Sequence, residues 1–149
     1  MSTDFKRTQV GSSFFVQLLV VGAIAAPFVY YLTDGDPYLL WSVPGVMLLF
    51  AFLFYSLTIV VSGGKVGYRF GPGIIKGSYQ ISEITSAEVV TNPWYYFVGV
   101  RGIPNGWMFN VSGFHAVEIT LKSGRKIRLG TDRPEEFKAA IEKGRLARN

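Results

Sequence analysis

The chain has 149 residues, 15 Lys/Arg against 10 Asp/Glu, one histidine and no cysteine. Without thiols there is no disulfide framework, thiolate nucleophile or cysteine metal site, and one histidine leaves little for a zinc centre or a histidine-based triad. From Gly64 onward lie 13 of the 15 bases but only 7 of the 10 acids, so the basic excess belongs to the C-terminal region.

Residues 1–12 read as a polar N-terminal tail carrying Lys6 and Arg7. Two blocks without a charged side chain follow, 13–32 and 39–62. Runs of about 20 apolar residues match the thickness of a bilayer core, so both blocks predict transmembrane helices. Between them, TDGDPY (33–38) holds two aspartates and no base, and its Asp-Gly and Asp-Pro steps suit a tight turn. Bases at Lys6 and Arg7 before the first block, and at Lys65, Arg69 and Lys76 after the second, place both termini in the cytoplasm and the acidic turn outside. A cleavable signal peptide ending at Ala23-Ile24-Ala25 is the competing reading, but the apolar run continues through Phe28–Tyr31. Gln17, Ser42, Ser56 and Thr58 are the main polar groups of the blocks, and Gly22, Ala23, Ala25 and Ala26 the small ones. No ionisable group lies at membrane depth, so the usual mark of an ion path or proton relay is missing and anchoring is the expected role.

From Lys65 the pattern changes to short segments broken by glycine and proline. Strands are predicted at 65–70, 73–81, 84–90, 95–101, 107–112, 116–121 and 126–130, spaced as in an antiparallel sandwich or open barrel. The last two define a hairpin in register. A Lys122-Ser123-Gly124 loop pairs Ile119 with Ile127 and Val117 with Leu129, and sets Glu118 opposite Arg128 on the other face. A helix follows, with Asp132 as the expected N-cap, Pro134 in the first turn, a stripe of Phe137, Ala140 and Ile141, and Gly144 as the expected stop.

The stretch GWMFNVSGFHAVEITLKSGRKIRLGTDRPEEF, with the preceding WYYFVGVRGIP, resembles bacterial pleckstrin-homology-like (PH-like) membrane proteins that carry two N-terminal transmembrane helices. The resemblance covers the soluble region, 64–149, and agrees with the apolar hairpin ahead of it. It implies a bent sheet of about seven antiparallel strands capped by a C-terminal helix, held at the bacterial cytoplasmic membrane. It implies an interaction module rather than an enzyme, and no cofactor. A PH-like fold does not by itself imply phosphoinositide binding.

Other signals have plainer readings. SGGKVG (62–67) lacks the first glycine of a phosphate-binding loop, and GPGIIKG (71–77) suits a hairpin turn. NVS (110–112) falls in a predicted cytoplasmic strand, His115 lacks catalytic partners, and Glu135 and Glu136 suit a helix N-terminus. Two features retain functional weight. The first is the basic set Lys65, Arg69, Lys76, Arg125, Lys126, Arg128 and Arg133, which is either a solvated face or a contact surface for anionic lipid headgroups. The second is an aromatic cluster in which Trp94 and Tyr96 are candidates for the membrane interface or a partner's groove. The expected role is a membrane-anchored adaptor acting on the bilayer and on a protein partner or a second copy of itself. An accessory subunit of a transporter or channel is the alternative, and nucleic acid is disfavoured because no recognition motif accompanies the bases.

Overall fold

The computed structural model describes residues 3–147. It begins with a strand, β1 (Thr3–Val10), where the sequence predicted a tail. Phe5, Arg7 and Gln9 of β1 are half-buried while Asp4, Lys6, Thr8 and Val10 are exposed, the period of two expected for a strand with one face on a core. A helical hairpin follows: α1 (Ser12–Leu32), a turn, α2 (Pro37–Leu40) and α3 (Ser42–Phe54). Asp36 caps α2 through its side chain and Pro37 takes the first turn. Both arms of the hairpin, Ser12–Leu32 and Pro37–Phe54, are long and apolar enough to cross a membrane.

The second apolar block does not stay helical to residue 62. It changes at Tyr55 into β2 (Ser56–Ser62), in which Leu57, Ile59 and Val61 are almost wholly buried. The run Thr58-Ile59-Val60-Val61 is β-branched throughout, and such side chains favour a pleated, half-buried surface over a helix. Seven further strands follow: β3 (Lys65–Phe70), β4 (Lys76–Gln80), β5 (Ile84–Thr91), β6 (Gly99–Ile103), β7 (Gly106–Asn110), β8 (His115–Leu121) and β9 (Lys126–Gly130), then α4 (Pro134–Leu146). Among the described residues there are therefore nine strands, two more than predicted. The segment 95–101 also departs from expectation, because Trp94–Tyr96 form a 3-10 turn and pairing starts only at Gly99.

The strands form two sheets, ordered β1-β2-β3-β4 and β5-β8-β9-β7-β6. All pairs are antiparallel except β7 with β9, which run parallel, so the all-antiparallel expectation is corrected there. The predicted β8–β9 register is observed: Ile119 faces Ile127, Val117 faces Leu129 and Glu118 faces Arg128, with Gly124 at φ +82° in the turn.

Leu57, Ile59, Val66 and Phe70 from the first sheet and Val117, Ile119, Ile127 and Leu129 from the second meet in one core, which Phe137, Ala140 and Ile141 of α4 close. Gly144 does not stop α4, which runs on to Leu146; a side chain there would collide with Ile81. Asp132 is not the N-cap either. Its carboxylate is taken by Arg7 of β1, and the Arg133 N–H is satisfied by the Thr131 hydroxyl instead.

The chain thus leaves the first sheet at Val10 and returns at Ser56, its direct partner across the β1–β2 ladder. At the junction the Gly11 N–H donates to the Tyr55 carbonyl at 2.8 Å, so the helical hairpin is an insertion between two neighbouring strands. Replacing residues 11–55 by a tight Asn-Gly turn should therefore give a soluble domain with a cooperative thermal transition. A fragment starting at Gly64 should show none. It loses Leu57, Ile59 and Val61, each worth about 1.5–3 kcal/mol of burial against a typical domain stability of about 5–15 kcal/mol.

Candidate functional site

The expected basic residues do not share one face. Lys126 and Arg128 lie on the outer side of the second sheet, where both bind Glu118. Lys126 Nζ donates to Oε1 at 2.8 Å, while Arg128 donates to Oε2 through Nε at 3.1 Å and Nη2 at 2.5 Å. Burial pushes the Glu118 carboxyl up, but the hydrogen bonds and charges of Lys126 and Arg128 prevail and hold it below its ordinary value. Arg133 bonds Glu136 one turn along α4 at 3.2 Å. Arg125 is exposed in the β8–β9 turn, six residue steps of β8 and roughly 20 Å from the strand start nearest the helical hairpin.

Arg69 and Lys76 are different. They face one another across β3 and β4, exposed and, among the described residues, without a carboxylate partner. Like charges directly opposite on a sheet repel. The register extends this row through Thr58 to Thr8, whose hydroxyls are 2.9 Å apart, and the next row brings in Lys6 opposite Val60. Lys6, Arg69 and Lys76 line a shallow groove of about 590 Å³ over Gly67, Gly77 and Ser78. The row of Arg69 is two residues from the helix–strand junction, at most about 7 Å along the strand. Lys65, opposite Gln80, lies at the far end of β3 and outside the groove. Tyr68 borders the groove but adds no charge, since burial pushes its phenol up to about 12.

The aromatic segment forms the second feature. Between β5 and β6 the chain passes over Pro93 into the Trp94–Tyr96 turn, then through Phe97 at φ +54°. Trp94, Tyr95 and Phe97 are exposed, at 74%, 52% and 57%. Tyr96 is only half-exposed: the Arg101 guanidinium lies over its ring at 5.0 Å and donates to the Tyr95 and Tyr96 carbonyls. Trp94 therefore remains a candidate contact residue, while Tyr96 serves the loop itself. The base of the loop is fixed by Asn92, whose N–H donates to the Phe114 carbonyl at 2.7 Å and whose Oδ1 accepts from Arg128 at 2.9 Å. Arg128 thus links Glu118 to the root of the aromatic loop.

The loop runs beside the start of α1. Gln17 holds Val98 by accepting its N–H at 3.1 Å and donating to its carbonyl at 3.5 Å. The Phe14 N–H, one of the unpaired donors of the first helical turn, reaches the Val111 carbonyl, and Ser12 and Ser13 bond Ser112. An apolar cleft of about 500 Å³ opens between α1 and α3, lined also by Val98 and Val100, with Gly22 against Met47 along its wall.

Sequence reasoning missed Lys6 and Arg101. The signal for Lys6 was the alternation in TDFKRTQV, which marks a strand and so ties Lys6 to a sheet; Arg101 had no comparable signal. His115 is exposed at the start of β8, and Asn110 of the NVS triplet is buried, its amide donating to the Gly113 carbonyl. No cluster of metal-ligating side chains occurs among the described residues. A scan against protein-family models finds no match, and a search of curated proteins finds none.

Glu118 and Asp132 both have depressed folded-state pKa values, the latter through its hydrogen bond with Arg7. Their stabilisation is present above the ordinary values of 4.5 and 3.8 and is lost as pH falls through the lower folded values. Glu118→Gln should cost roughly 1–3 kcal/mol in denaturant unfolding at neutral pH, because it leaves Lys126 and Arg128 underpaired. The same variant should lose part of the acid dependence below about pH 4.5 expected of the parent chain.

Proposed function

We propose that this chain is a membrane-anchored, non-enzymatic PH-like interaction module whose helical hairpin spans the bacterial cytoplasmic membrane and whose Lys6–Arg69–Lys76 groove contacts anionic lipid headgroups. The observation that carries this reading is the like-charged Arg69–Lys76 cross-strand pair close to the hairpin's root. An anion there relieves the repulsion that the bare pair suffers. The bilayer supplies such an anion at the right depth, because headgroup regions occupy roughly 5–8 Å on each side of the hydrocarbon core.

The strand plan also supports the PH-like reading. Setting aside the β6–β7 hairpin as an insertion between β5 and β8 leaves seven strands and a terminal helix, the number the resemblance implies. These are not the seven expected from Lys65 onward, since β1 and β2 replace β6 and β7 in the count. The helical insertion and the loop that leads into β6 lie against each other at Gln17 and Val98. Positive-inside charge bias then puts the domain in the cytoplasm.

The reading is tested with the full chain in nanodiscs of mixed phosphatidylcholine and phosphatidylglycerol, with retained lipids identified by native mass spectrometry. Three bases at about 1 kcal/mol each, less ordering costs, should give an anionic preference on the order of tenfold that weakens with salt. Lys6→Gln, Arg69→Gln and Lys76→Gln together should abolish the preference without lowering the melting temperature. Equal retention of both lipids by the parent chain would contradict the reading.

A further inference from the structure

We infer that the aromatic loop at Trp94–Val98, with Phe114 beside it, is a second membrane-insertion element, a lip of the β domain embedded among the acyl chains alongside α1. The inference rests on the membrane-anchored reading but goes beyond it, because a cytoplasmic domain on a helical hairpin needs no such lip.

Three observations point the same way. First, the exposed rings of Trp94, Phe97 and Phe114 do not stand alone. They form one apolar hollow with Val16, Val20 and Ile24 of α1. Val20 lies eight residues past the start of α1 and Ile24 twelve, roughly 12 and 18 Å along the helix. If α1 spans a bilayer, its Val16–Ile24 face and the rings beside it share one solvent, and for a helix segment so apolar that solvent is lipid.

Second, much of the loop's backbone is hydrogen-bonded, as lipid demands. Backbone groups off the regular ladder are costly in hydrocarbon unless paired. Gln17, the one strongly polar side chain in the span of α1, satisfies both the N–H and the carbonyl of Val98, while Arg101 occupies the carbonyls of Tyr95 and Tyr96. A glutamine in an apolar helix thereby has a structural reason, as does an arginine folded back over Tyr96.

Third, the root of the loop is braced rather than loose. Asn92 is buried and bound by Arg128, itself held by Glu118, and Phe97 is exposed at a positive φ. Large apolar rings presented on a braced loop beside a lipid-facing helix fit an acyl-chain environment better than water. Tryptophan and tyrosine also favour the interfacial layer through which such a lip passes.

The test uses the full chain in phosphatidylcholine vesicles and its three tryptophans, Trp41, Trp94 and Trp107, as a depth ruler. Trp41 stands at the turn of the helical hairpin, and Trp107 on β7, four residues from Val111 where the domain meets α1. Variants keep one tryptophan each, the others being replaced by phenylalanine. Emission is read against brominated phosphatidylcholine, with bromine high or low on the acyl chain, and against aqueous iodide. The expected result is loss of most Trp94 emission to high-placed bromine with shielding from iodide, quenching of Trp41 by brominated lipid, and quenching of Trp107 by iodide. Gln17→Leu, which keeps α1 apolar but removes both bonds to Val98, should return Trp94 toward iodide; an unchanged Trp94 would overturn the role of Gln17 in holding the lip in lipid. If Trp41 is quenched by brominated lipid but Trp94 is as open to iodide as Trp107, the lip is refuted while the anchoring stands. Shielding of Trp94 from both quenchers would mean a protein cover and would equally refute it. If brominated lipid reaches neither Trp41 nor Trp94, the anchoring reading itself fails.

Discussion

The pairing of β1 with β2 across the helical hairpin is the constraint on which the rest of the molecule depends. Because Val10 and Ser56 are direct partners, the hairpin cannot pivot freely as it would on a single tether; both of its arms are fixed to adjacent strands. The packing continues the constraint inward. Phe50 stacks on Phe54, Phe54 meets Phe70 edge-on, and Phe70 and Tyr68 both lie against Phe109 of the second sheet. On the opposite side Arg7 binds Asp132 and Phe5 stacks on Phe137, so the strand entering the hairpin is also held to α4. A domain held in this way presents one fixed side toward whatever surrounds the helices, and that is the physical content of the anchoring reading.

Electrostatics divides the bases into two groups with different work. Around Glu118 the cost of burying a carboxylate is outweighed by two cations, and the result is a closed network that positions Asn92 and the aromatic loop. In the groove of the first sheet the balance is reversed: Arg69 and Lys76 repel, Lys6 adds charge, and no carboxylate among the described residues compensates. Closed networks stabilise a fold and have little left for a partner. An open, like-charged groove costs stability, and an external anion offsets that cost. Of the seven bases expected to form one surface, this contrast leaves Arg69 and Lys76 open to an external anion and adds Lys6 to them.

Much of the fold was legible because local rules and packing agreed. The β8–β9 register followed from alternation and the glycine turn, and the apolar stripe of α4 followed from helical spacing. The boundary at Tyr55 was hidden because a membrane-type helix and a core strand have the same gross composition. Hydropathy runs through both, and only the β-branched Thr58–Val61 separates them. β1 was missed for the complementary reason: its polar outer face made it resemble a tail, although Phe5, Arg7 and Gln9 all turn inward. Asp132 was a sound N-cap by local chemistry, but a guanidinium 125 residues away in the chain outcompeted the helix for its carboxylate. The candidate site was harder to read because it depends on which bases find acids in three dimensions. Nothing in the spacing of Arg125, Lys126 and Arg128 distinguishes a paired base from a free one.

β1 and β2 pair across the inserted hairpin, and the absence of cysteine from the chain makes a direct measurement of that pairing clean. Thr8 and Thr58 face one another with their hydroxyls 2.9 Å apart. With Thr8→Cys and Thr58→Cys in the full chain under mild oxidation, an intramolecular disulfide is expected: both thiols lost to maleimide labelling, an intact mass lower by two hydrogens, and full recovery of labelling on reduction. A control with Thr8→Cys and Lys65→Cys, two positions distant in the register, should stay labelled. Persistent labelling of the Thr8–Thr58 pair, with the control indistinguishable from it, would overturn this pairing and show that the N-terminal segment is not a strand of the domain.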